Sequence, residues 1–252
     1  MAGPDLPATS YLFGSMHVKD LRAFSQFDFI KDKLNDCSAY AAEFHLDETH
    51  PAAVQKMTLP KGVTLKSLIP EKKYTKLRKV IVKATGIDLD FFQYSSPFML
   101  TGLIGAGLLG KDMPLSLDEH LWRYAKSCGK SMFGIETLKE QLDVLDQIST
   151  EMQLKMLLDL GRNIKRFRHY TLHTAELYQQ GELQRLSKSV AKNAGKLRKI
   201  MLYHRNEIMS ERIYELVKKE SVFTSIGAGH LGGGKGVIRL LKQKGLTVKP
   251  IR

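Results

Sequence analysis

Short apolar runs alternate along this chain with longer stretches that repeat at helical spacing, and each short run ends near a residue capable of chemistry. Tyr11 to Gly14 is the first such run. Leu21, Phe24, Phe27, Ile30 and Leu34 then recur at helical spacing, so the segment after His17 is predicted to be a helix. Ser38 to Phe44 is a second predicted strand, Ser131 to Ile135 a third, Val222 to Ile226 a fourth, and Leu246 to Ile251 a terminal one. Helical patterning covers Glu71 to Gly86, Asp88 to Leu109 with Pro97 starting or kinking a helix, and Leu117 to Cys128. Leu138, Leu142, Leu145 and Ile148 open a helical region that runs to Glu220 with breaks near Gly161, Gly181 and Gly195, and Val237 to Leu241 is a last short helix. This order of elements is that of an α/β protein. It predicts one domain over residues 1–252, with about 137–220 mostly helical and the sheet strands drawn from both ends of the chain.

Composition narrows the class only a little. With 252 residues, 43% hydrophobic and 26% charged, the chain is large enough to bury a core and has none of the bias of a disordered protein. Phe98 to Leu109, the longest apolar stretch, is about half the roughly 20 residues a spanning helix needs and contains four glycines or threonines, so it reads as a buried helix. The N-terminus lacks the charged start, apolar middle and small-residue cleavage site of a signal peptide, and Met-Ala-Gly-Pro runs abruptly into the first strand. Cys37 and Cys128 are too few for a disulfide scaffold, lack zinc-site spacing, and read as buried free thiols. A formal charge of +13 invites a nucleic-acid partner. The basic residues are nevertheless spread through the chain, and the densest runs, Lys72 to Lys83 and Arg185 to Lys199, read as wet faces of amphipathic helices, which argues against that partner.

In open α/β sheets, ligands sit beyond the carboxyl ends of the strands. Here those ends present Gly14-Ser-Met-His17, Glu43, Glu136 and Gly227-Ala-Gly-His230. Glycine at a strand exit allows a tight turn, letting the imidazole three residues on point back over the sheet. Two neutral imidazoles with one or two carboxylates can bind zinc, manganese or cobalt. Glu43, His45 and Asp47 would share a strand face and could form a ligand set of their own, although His45 and His50 read better as surface residues. The glycine-rich turn imitates two nucleotide motifs. Gly227-Ala-Gly229-His-Leu-Gly232 matches a dinucleotide fingerprint, but no Asp or Glu follows Glu220 to hold a ribose. Gly229 to Lys235 spells GxxxxGK, but Gly236 stands where a magnesium-binding Ser or Thr is needed. Gly14, Gly227 and Gly229 instead suit close backbone approach to a bound group, with amides able to stabilise an anion.

Tyr-Leu-Phe-Gly14-Ser-Met-His17-Val resembles the first GxxH signature of the TraB/PrgY/GumN family, which includes the TIKI proteins. Further matches follow in order: Ala42-Glu43; Gly129-Lys130 through Gly134-Ile-Glu136-Thr with Gln141; His204-Arg205-Asn206 with Met209; and Ile226-Gly227-Ala-Gly-His230-Leu with Lys244-Gly245-Leu. They span Tyr11 to Val248 and resemble the bacterial GumN-like branch best. The resemblance implies a mixed sheet flanked by helices, similar to the erythromycin esterase and ChaN group. It also implies an exported or cell-envelope protein and a metal-dependent hydrolase, most simply peptidase-like, acting on a peptide or protein. In that reading His17, His230 and Glu136 hold a divalent ion (manganese, cobalt or zinc), and Glu43 takes a proton from water. Arg205 stabilises an oxyanion or forms a structural ion pair, and Asn206 orients a neighbour. The alternative is a non-catalytic protein that captures a peptide, metal or haem in the same pocket.

Overall fold

In the computed structural model, which describes residues 1–48 and 56–251, the apolar runs form β1 (Tyr11–Ser15), β2 (Ala39–Phe44), β3 (Ser131–Glu136) and β4 (Val222–Gly227). They pair in the order β1-β4-β2-β3, and every pairing is parallel. The expected mixed sheet is therefore corrected to a parallel one among the described residues. The predicted terminal strand is reduced to a single antiparallel bridge between Ala2 and Thr247. A parallel sheet needs helical crossovers and buries both faces.

The chain divides into two compact units. The first comprises Met1–Glu48, Met113–Leu138 and the described residues from Thr174 onward; the second comprises residues 56–112 together with Lys139–His173.

The first unit contains the sheet, and its core follows the two-residue period of a strand. Ala39, Ala41, Val222 and Ile226 face one layer, packed with Met209, Ile213 and Val217 of α10 (His204–Val217) and with Val237 and Leu241 of α11 (Val237–Gln243). Tyr40, Ala42 and Phe223 face the other, against α1 (Phe27–Asn35) and α5 (Leu117–Ser127), whose Leu34, Leu117, Leu121 and Trp122 are buried. The helix expected directly after His17 begins as a 3-10 turn, Leu21–Phe24, capped by Asp20, before α1 starts. Cys37 is buried, and burial pushes its thiol up to about 11; Cys128, expected to be buried, is exposed. His45 is half-buried with its ring edge-on to Trp122 at 4.6 Å rather than on the open surface, while His50 lies outside the described residues.

The second unit is helical. Leu65 of the short α2 (Leu65–Leu68), Tyr74, Leu77 and Ile81 of α3 (Glu71–Thr85), Leu100 and Ile104 of α4 (Pro97–Gly107), and Leu157 and Leu160 of α7 (Thr150–Arg162) make one core. Pro97 opens α4 behind a Ser96 cap, where its missing N–H costs nothing. The lysines of α3 at 72, 73, 76, 79 and 83 are exposed, as a wet face should be.

The other α-helices among the described residues are α6 (Leu138–Asp146), α8 (Ile164–Gln179) and α9 (Leu183–Ala194). Their breaks fall close to the predicted glycines, with Gly181 and Gly195 both at positive φ. A π-helical stretch, Lys199–Tyr203, leads directly into α10. No described helix is long and apolar enough to cross a membrane.

Candidate active site at the strand ends

Because all four strands run the same way, their carboxyl ends share one edge of the sheet. Gly14 pairs with Ile226 and Ser15 with Gly227, so the two GxxH segments leave neighbouring strands side by side. Their glycines serve close approach. A Cβ on Gly14 would stand 2.7 Å from Leu231 Cδ1 and 3.1 Å from Ala228, so the first motif makes room for the loop of the second. Gly227 has a φ of −52°, open to any residue. A Cβ there would nonetheless reach within 3.3 Å of Glu43 Oε2 and 3.5 Å of His230 Cδ2, and its amide donates to Glu43 Oε2 at 3.0 Å. A Cβ on Gly229 would meet Val190 of α9 at 3.0 Å.

Glu43 and Glu136, at the ends of neighbouring β2 and β3, are joined by Arg205 from the first turn of α10. Arg205 Nε donates to Glu136 Oε1 and Oε2 at 3.0 and 3.1 Å, and Nη2 donates to Glu136 Oε2 at 2.6 Å and to Glu43 Oε1. Burial alone would raise the Glu43 pKa. The charge of His230, when protonated, and of Arg205, together with the Gly227 amide, outweigh it and hold the carboxyl at about 2. Burial alone would lower the Arg205 pKa, but its bonds to Glu136 and the charges of both glutamates keep the guanidinium firmly protonated. The geometry thus supports the ion-pair role considered for Arg205, and it ties α10 to the sheet. Charge-assisted, forked pairing of this kind is also geometrically selective.

The histidines are held differently. His230 is buried at 6% exposure, and its Nδ1 lies 2.6 Å from Asn206 Oδ1. Asn206 Nδ2 donates to the Lys235 carbonyl at 2.7 Å. A carbonyl only accepts, so the amide must turn its oxygen to His230, which then carries its proton on Nδ1 and leaves the Nε2 lone pair free. Burial and the charge of Arg205 lower the His230 pKa to about 4, against the raising effect of Glu43, so the ring is neutral. His17 has a side chain 68% exposed, with Nδ1 3.4 Å from Asp118 Oδ2. Asp118 raises its pKa against partial burial, with smaller help from Glu119 and Glu43. Both rings thus feel the charge of Glu43.

Of the residues read from the sequence, His230, Glu43, Glu136, Arg205, Asn206 and Gly227 are linked by contacts, and His17 stands on the adjacent strand exit. Glu43, His45 and Asp47 form no ligand set of their own: β2 ends at Phe44, and Asp47 is taken by Trp122 and Lys126. Among the described residues no three His, Cys, Asp or Glu side chains stand ready to hold one ion. The sequence reading missed Ser15, Asp118 and Tyr178. Ser15 Oγ donates to Asp118 Oδ1 at 2.6 Å, and Tyr178 donates to the Gly14 carbonyl at 2.9 Å. Asp118 sits inside the capping box Ser116-x-x-Glu119, which reads simply as a helix start, and nothing local links it to His17.

A parallel α/β sheet with imidazoles, carboxylates and a bridging arginine along its carboxyl edge defines a polar site of the kind that binds or transforms small polar groups. The chain belongs to the TraB/PrgY/gumN family, whose model matches residues 5–250. It is similar to Metalloprotease TIKI2 of Danio rerio, 24% identical over 95% of this chain and 58% of the relative. It is also similar to Metalloprotease TIKI homolog of Amphimedon queenslandica, 25% identical over 94% and 58%, and to Metalloprotease TIKI2 of Xenopus tropicalis, 23% identical over 95% and 57%. The chain therefore spans less than two thirds of the length of these relatives. No solved structure matches it significantly, so the likeness to the erythromycin esterase and ChaN group rests on the family resemblance alone.

Proposed function

We propose that this chain is a metal-dependent hydrolase of the peptidase kind, with its site at the carboxyl edge of the sheet. The observation that carries the reading is the meeting of four strand ends that bring His230, Glu43 and Glu136 together around Arg205, with His17 leaving the neighbouring strand. Relatives named metalloproteases support it. The donor chemistry fits a divalent ion in part. A metal-binding histidine usually donates its second ring nitrogen to an oxygen, as His230 does to Asn206. The carboxylates fit only when Arg205 yields one of them.

His17, His230 and Glu136 would hold the ion, which when bound would polarise a carbonyl and acidify water. The protein's own groups do the rest. Glu43, held ionised at about 2, accepts a proton poorly while Arg205 is on it. As negative charge develops on a substrate carbonyl oxygen and draws Arg205 towards it, that pair loosens and the basicity of Glu43 returns, so one movement stabilises the charge while the base takes up its proton. Asn206 keeps His230 in one tautomer throughout.

The second reading, a binder of peptide, metal or haem, is favoured by one observation: both carboxylates are already paired with Arg205. Export to the envelope and a peptide or protein substrate remain part of the proposal. The experiment supplies manganese or cobalt and a panel of peptides and esters to the wild type and to Glu43→Gln. The hydrolase reading expects cleavage by the wild type and turnover lower by roughly 10²–10⁴ in the variant, with metal affinity retained. Cleavage of nothing by the metal-loaded wild type would favour the binder.

A further inference from the structure

We infer that Asp118 is the positioning residue of the first GxxH motif, holding His17 by Nδ1 so that Nε2 is presented to the site. It does with a carboxylate what Asn206 does for His230 with an amide. The inference deepens the hydrolase reading and rests on it for what the orientation is used for, but not for the geometry.

Three observations support it. Asp118 Oδ2 is a buried carboxylate oxygen with no hydrogen-bond partner, and His17 Nδ1 lies 3.4 Å away, a small adjustment from a hydrogen bond. Buried polar oxygens without donors are rare and costly, which makes this one an acceptor awaiting a donor. The other oxygen is fixed by Ser15 at 2.6 Å, so the carboxylate is aimed from the end of β1, the same strand that launches His17. Finally, the segment following His17 is tied to the start of α5. Leu117 N donates to the Val18 carbonyl at 3.2 Å, Met113 N to the Lys19 carbonyl at 3.0 Å, and Lys19 Nζ to the Pro114 carbonyl at 2.8 Å.

Stability does not explain the arrangement. An ion pair with a partner as exposed as His17 adds little to stability, while burying a carboxylate is costly. Orientation does explain it: an imidazole held at Nδ1 by an acceptor must carry its proton there and expose the Nε2 lone pair, as ligating histidines do.

The test reads the tautomer directly, in metal-free protein and without any substrate. Long-range ¹H–¹⁵N correlation spectra of labelled protein, with His17 assigned by its loss in His17→Gln, are recorded at a pH where the ring is neutral. We expect His17 in the Nδ1–H form, against the preference of free imidazole side chains for Nε2–H. Asp118→Leu should return it to Nε2–H and weaken Co²⁺ affinity about 10–100-fold. Asp118→Asn, which keeps an acceptor oxygen, should retain the Nδ1–H form. Wild-type His17 in the Nε2–H form overturns the inference without any variant having to fold, and so does a tautomer unmoved by Asp118→Leu. If the tautomers behave as expected but the wild type binds no metal, the positioning role stands and the metal-dependent reading fails. If the wild type binds metal and cleaves peptide with His17 in the Nε2–H form, the reverse holds.

Discussion

The two GxxH segments share one spacing and leave neighbouring parallel strands, yet their histidines end in opposite surroundings. His230 is buried, neutral and locked by an amide whose own orientation is set by a backbone carbonyl. His17 stands at the lip of the edge, mostly exposed, beside a carboxylate that favours its protonated form. The motif therefore decides where the backbone turns, and residues from distant helices, Asn206 on α10 and Asp118 on α5, decide what each imidazole can do. One donor is buried and the other open to solvent, which suits a site that must both hold a group and admit it.

The same substitution at both places should separate the two histidines most widely. His230→Ala removes a buried ring and strands the Asn206 carbonyl oxygen, and should cost about 2–4 kcal/mol in urea unfolding. His17→Ala removes a mostly exposed side chain and should change stability by no more than about 0.5 kcal/mol. Equal losses in the two variants would show that the burial difference has no energetic meaning.

Changing the pH should separate them more gently. His230 titrates at about 4 in the fold against an ordinary 6.5, so between those values the unfolded chain binds a proton that the fold refuses. Stability should fall as pH is lowered from about 6.5 towards 4, by on the order of 2 kcal/mol. His17 has the opposite sign: its raised pKa adds stability below its ordinary value that is lost as pH rises through the folded one. Glu43, at about 2 against an ordinary 4.5, adds stability that is full above about 4.5 and is lost as pH falls from there towards 2. Unfolding measured between about pH 5 and 6.5, above the range where Glu43 contributes, should thus flatten in His230→Gln and keep its slope in His17→Gln. An unchanged slope in His230→Gln would assign the titration elsewhere.

The parts of this architecture that were legible in the sequence are those with a local signal. The four strands were readable because each is a short apolar run closed by glycine or a carboxylate, and Pro97, Gly181 and Gly195 marked helix boundaries through backbone chemistry that acts within a residue or two. The motif histidines and glutamates were readable because each follows a strand. Strand direction was not, since crossover geometry leaves no mark on the strands themselves, and the terminal segment around Thr247 has a strand's composition but makes only one bridge. Asp118 was hidden because its link to Ser15 and His17 joins residues a hundred positions apart. Arg205 was visible as part of a family pattern, but its forked hold on two carboxylates from different strands appears only once the sheet is assembled.

Whether the two unlike histidines serve one ion is decided by a cobalt titration of the metal-free protein followed by visible absorption. One Co²⁺ per chain is expected, with the d–d bands of an imidazole-containing site, and a loss of at least about 100-fold in affinity in His17→Ala and in His230→Ala alike. Absence of a bound ion in the wild type, or binding that survives both substitutions, would contradict it.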